Sequence, residues 1–185
     1  MASFDKKLAL FHWLLCQFGA EEFVQLKKIL SNDDLIGFDE ENSTLFSHEL
    51  SEHLKASQSP ISKEMLSSYD ANIVRHWKKI TKKRNSSGHV LYPLYFQYLS
   101  MLFTEYYLDR YFAGKEGLCD ELNQFLEEEF NKRLPKAEAI LPFAERDLNK
   151  LAVWIATGGG KTLIMHVNIL QFQHYLKKAH KRLPF

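Results

Sequence analysis

Lys150-Leu-Ala-Val-Trp-Ile-Ala-Thr-Gly-Gly-Gly-Lys-Thr-Leu-Ile-Met-His166 is the stretch on which the reading of this chain turns. Residues 151–156 are a short, uncharged apolar run that meets glycines almost at once, a pattern that suits a buried parallel strand. Gly158, Gly159 and Gly160 allow backbone conformations closed to other residues, so consecutive N–H groups can converge on phosphate oxygens. An apolar helix over residues 163–170 would add its positive end beneath the anion. The order strand, loop, helix separates this stretch from a glycine-rich turn that merely ends in Lys-Thr. Thr157, Gly158, Gly159, Gly160, Lys161 and Thr162 are therefore expected to hold ATP. Lys161 would reach the β and γ phosphates, and the Thr162 hydroxyl would bind Mg2+, which makes these two the candidate catalytic residues.

The end of the stretch satisfies the P-loop pattern Gly-x4-Gly-Lys-Ser/Thr, while Ile155 stands where its first glycine is usual. An apolar residue followed by Ala-Thr-Gly-x-Gly-Lys-Thr resembles motif I of superfamily-two helicases of the DEAD/DEAH type, in the branch of restriction-enzyme R subunits. The resemblance runs on to Tyr175. The aromatic segment Tyr95-Phe-Gln-Tyr-Leu-Ser-Met-Leu-Phe-Thr-Glu-Tyr-Tyr-Leu-Asp-Arg-Tyr-Phe112 is similar to helical N-terminal regions of such bacterial proteins. The resemblance implies an ATP-dependent DNA helicase or translocase of restriction or defence type. Its cofactors would be ATP and Mg2+, its substrate DNA or RNA, and a partner subunit would be in keeping with it. It also implies a downstream Asp-Glu box, yet the 23 residues after Thr162 contain no acidic side chain. The chain is thus expected to be the N-terminal part of such an enzyme, inactive alone. The rival readings are a P-loop kinase or GTPase of another class, and a non-enzymatic helical docking module for protein or nucleic acid.

Upstream, the apolar spacing is helical. Leu8, Phe11, Leu15, Phe23, Leu26, Ile29 and Leu30 predict one or two helices within residues 5–30, broken near Gly19. Leu45 to Leu54 predicts a short helix, and Ile73, Trp77 and Ile80 belong to a longer one stopped by Asn85-Ser-Ser-Gly88. Pro93 opens the aromatic helix, and Asp120 to Leu134 forms another, closed by Pro135. The expected fold class is mainly α: a helical domain over residues 1–140, then the truncated β–P-loop–α start of a RecA-like lobe over residues 141–185.

Composition is that of an ordinary globular chain: 45% hydrophobic, 14% aromatic and 25% charged, with net charge +1. That balance argues against a protein that coats nucleic acid and leaves local basic patches open. Arg75-His-Trp-Lys-Lys-Ile-Thr-Lys-Lys-Arg84 packs six cations into ten residues. It reads as a solvated helix end, or as a phosphate-contacting run beside Trp77, whose spacing places it in the core. Lys177-Lys-Ala-His-Lys-Arg182 reads as a basic helix terminus, and Glu127-Glu-Glu129 as an exposed helix face. Cys16 and Cys119 lie in no metal or CxxC pattern and read as reduced core thiols of a cytoplasmic protein. The eight histidines show no zinc spacing. Residues 91–112 carry Gln97, Glu105, Asp109 and Arg110, which speaks for a buried central helix and against a bilayer span.

Overall fold

A computed structural model describes residues 7–85 and 88–180. Among the described residues, seven α-helices follow one another: α1 (Ala9–Gln17), α2 (Phe23–Leu30), α3 (Leu45–Ala56), α4 (Lys63–Asn85), α5 (Tyr95–Ala113), α6 (Lys115–Phe125) and α7 (Lys161–His180). Gly19, at φ +67°, turns the chain between α1 and α2 where the sequence predicts a break. Asn85 ends α4, while Ser86 and Ser87 of the expected stop lie outside the described residues, as do Lys181 and Arg182 of the basic terminus.

α5 is the axis of the bundle. Its residues from Met101 to Leu108 are all buried, which a helix apolar on every side requires. α4 runs antiparallel to it: Tyr69 Oη donates to Asp109 Oδ2 at 2.9 Å, and Asn72 Nδ2 to Glu105 Oε1 at 2.5 Å. α7 runs parallel to α5 on its other side. Gln171 Nε2 donates to the Met101 carbonyl at 2.9 Å, and Lys178 Nζ bonds Asp109 Oδ1 at 2.9 Å. Stacked or tilted rings fill the remaining sides, with Phe18 against Phe103 at 5.0 Å and Phe46 against Tyr98 at 5.3 Å between centroids. Thr44 ties two helices together: its hydroxyl accepts from the Ser47 N–H to cap α3 and donates to Asp70 of α4 at 2.6 Å.

Beyond Phe125 the helix widens into a π turn, Leu126–Phe130, which buries Leu126 and Phe130 and leaves Glu127, Glu128 and Glu129 exposed. Short 3-10 turns at Asn131–Arg133, Lys136–Glu138 and Asp147–Asn149 carry the chain back along the bundle. Tyr107 Oη, donating to the Leu148 carbonyl at 2.7 Å, holds the last of them.

The expected truncated β–P-loop–α start of a RecA-like lobe is not what forms. Residues 151–156 run without strand structure into the glycine turn, and among the described residues the β pairing is confined to an isolated bridge between Phe38 and Thr44. The reason is physical. One apolar strand has no sheet to satisfy its backbone or cover both its faces, so Trp154 stands 85% exposed and Val153 42%. The fold class is all-helical. No helix among the described residues is long and apolar enough to cross a membrane.

Candidate docking surface

The six residues expected to hold nucleotide do lie together, in one turn and the first turn of α7. Thr157, Gly158, Lys161 and Thr162 are exposed, while Gly159 and Gly160 are half-buried. Gly158 and Gly160 take the left-handed conformation, at φ +82° and +80°. The turn is closed inward. The Gly159 N–H donates to the Ala156 carbonyl at 3.1 Å, and the Gly159 carbonyl accepts from Gln97 Nε2, also at 3.1 Å. Gln97 is itself fixed, because its Oε1 accepts from the Leu94 N–H at 2.9 Å at the start of α5. The loop is therefore strapped to the bundle through a side chain of α5, and one of the N–H groups a phosphate cradle needs is already engaged.

These findings correct the nucleotide reading. ATP and Mg2+ as cofactors required a strand-anchored phosphate loop, and no such strand forms. No cluster of three or more His, Cys, Asp or Glu side chains able to hold a metal occurs among the described residues. The resemblance to superfamily-two helicases, and the enzymatic helicase or translocase role drawn from it, lose their support with the lobe they assumed. Comparison with protein-family models, with curated proteins and with solved structures finds no match to this chain.

What stands out instead is the outer side of α7. Its inner side enters the core through Ile164, Val167, Gln171 and Tyr175. Met165, Ile169, Phe172 and Leu176 lie along one flank of it, exposed by 52%, 48%, 47% and 36%. Their successive spacings of four, three and four residues place them on one stripe. Phe172 leans on Phe112, with centroids 5.5 Å apart, and no helix among the described residues covers the stripe. In the sequence, residues 163–170 read as an apolar helix behind the glycines, and these four are not singled out. The signal was present as a second apolar register beside the one formed by Ile164, Val167 and Tyr175.

Between α4, α5 and α7 lies a polar seam that no pattern in the sequence announces. Glu105 is fully buried, with Oε1 bonded to Asn72 and Oε2 lacking a hydrogen-bond partner. Burial pushes its pKa up to about 7, against the opposing pull of Tyr175, Gln171, Asn72 and Arg75. Arg75 bonds Asn72 and donates to His174 Nδ1 at 3.1 Å, and thereby links α4 to α7. His76 stays neutral to about pH 4, chiefly because it is desolvated and next because of Arg75.

The basic run occupies the end of α4. Trp77 is core, its Nε1 donating to the Leu91 carbonyl at 2.7 Å, and so cannot stack on a base. Lys78 lies over the Phe38 ring, 4.9 Å from its centroid, while Lys79 and Lys82 point to solvent. Both cysteines are free thiols, and burial is the main cause that raises their pKa values.

Proposed function

We propose that this chain is a non-enzymatic helical docking module that binds a protein partner along the outer face of α7. The observation that carries the reading is the stripe Met165, Ile169, Phe172 and Leu176, four large apolar side chains held half-exposed on a helix whose other face is locked in the core. An isolated exposed leucine needs no explanation, whereas a contiguous row does. Covering the exposed half of each side chain gains about 1 kcal/mol, half the usual value for full burial. The backbone beneath is fixed by Gln171 and Tyr175, so little ordering cost is incurred on binding.

The test is a selection of displayed amphipathic helical peptides, with unrestricted polar positions, on the full chain. Peptides should emerge whose affinity falls at least tenfold on the double change Ile169→Gln and Phe172→Gln, about 1.4 kcal/mol or more. The helical circular dichroism of the variant should match the parent. A selection that yields no binders, or only binders indifferent to the double change, removes the docking role from this face.

A further inference from the structure

Resting on the docking role of α7, the charge arrangement around its stripe points to one occupant: we infer an amphipathic α-helix with acidic flanks, belonging to a different protein. α7 has no Asp or Glu in its 20 residues. Exposed cations stand at both ends of the stripe, Lys161 before Met165 and Lys177 beside Leu176, with exposed His166 and His180 along its edges. Lys161 is the first residue of α7, where the helix dipole already places positive charge, and it has no ion pair among the described residues. An incoming carboxylate there would relieve a repulsion that the chain leaves uncompensated.

A second copy of this chain fits poorly. Stacking α7 on α7 in parallel sets Lys161 against Lys161, and antiparallel stacking sets it against the Lys177 end, so both orientations oppose cations. The acidic run Glu127, Glu128 and Glu129 is flanked by Leu126 and Phe130, which are already buried, so a copy has no free apolar row to offer with it. Nucleic acid would satisfy the cations and leave the four apolar side chains in water.

The experiment uses two synthetic helices of about three heptads, identical in their Leu and Ile seam, one flanked by Glu and the other by Lys. Binding to the full chain is measured by calorimetry at about 0.15 M ionic strength, where charges are felt over about 8 Å. The Glu-flanked helix should bind at least tenfold tighter. Lys161→Gln with Lys177→Gln should bring the two peptides to within about threefold of each other, since only the seam then discriminates. Ile169→Gln with Phe172→Gln should abolish both. Equal binding of the two peptides, both lost on the seam change, overturns the acidic occupant and leaves the docking role standing. Absence of binding by either peptide overturns the inference and counts against the docking role too. Dimerisation of the free chain that is lost on Ile169→Gln replaces the foreign partner with a second copy. A DNA duplex that binds tighter than the acidic helix and is released by the same lysine changes assigns the cations to phosphate.

Discussion

Glu105 shows how one side chain sets a constraint on the whole bundle. A carboxylate in an apolar helix is costly to ionise, and here only one of its oxygens is bonded. Gln171, whose Oε1 is likewise buried without a partner, faces the same carboxyl from α7. Burial outweighs the pull of Tyr175, Gln171 and Asn72 and raises the Glu105 pKa to about 7, so the carboxyl holds its proton in acid. The sign follows from linkage. The folded pKa lies above the unfolded value of about 4.3, so the stabilisation is complete below that value and is lost as pH rises through about 7. His76, held neutral to about pH 4, acts in the opposite sense, losing stability as pH falls below its unfolded value. A comparison of Glu105→Gln with the parent cancels that histidine. The amide donates without ionising, so the variant should gain stability relative to the parent between pH 5 and pH 8, by on the order of 2 kcal/mol. Urea titrations at the two pH values measure it. A difference that does not change with pH would mean that Glu105 is ionised throughout.

At the scale of elements, much of the helix order was legible. Period and punctuation marked α3 by its Leu45 to Leu54 spacing, and α5 by Pro93 and its all-round apolar faces. The stretch from Leu151 to Thr162 misled, because a pattern of residue types specifies a strand only where neighbours exist to pair with it. The same residues instead make a strap, and Gln97, 62 positions away in sequence, holds it. No local pattern announces that partner. The strap can be tested with two glycines that share a backbone conformation and differ in surroundings. At Gly158 a Cβ meets nothing within 4 Å, whereas at Gly160 it would stand 2.6 Å from Gln97 Nε2. Gly158→Ala should therefore cost about 1 kcal/mol, from the left-handed backbone alone. Gly160→Ala should cost about 1–2 kcal/mol more, an excess that shrinks in a Gln97→Ala background. Equal costs in chemical denaturation would show that Gln97 is not seated against the turn. The docking stripe was hidden for a related reason: α7 carries two apolar registers, and only the bundle shows which of them it covers.

For the molecule as a whole, the question is whether α7 belongs to the cooperative unit formed by α1 to α6. Ile164, Val167 and Tyr175 join a core cluster that also includes Trp13, Phe46, Leu99 and Tyr107. The polar seam adds to it, since Arg75, Asn72, Glu105 and Gln171 connect three helices through groups that would be stranded if α7 left. Stranding buried polar groups is expensive, which favours unfolding in one step. Ile164 is the residue with which to test this, being 1% exposed and in the first turn of α7, far in sequence from the aromatic reporters. Ile164→Ala should cost about 2–5 kcal/mol, a large share of the stability of a domain of this size. Trp13 and Trp77 are buried in α1 and α4, so their near-ultraviolet signal follows the bundle and helicity follows the whole chain. In one cooperative unit, the substitution moves both transitions to the same lower urea concentration with an unchanged slope. In a chain where α7 folds on its own, the tryptophan transition stays in place and the helicity curve splits in two. Coincident, shifted curves are expected, and they would mean that a partner on the outer face of α7 stabilises every helix of the bundle, by an amount that grows with the ratio of its free concentration to its Kd.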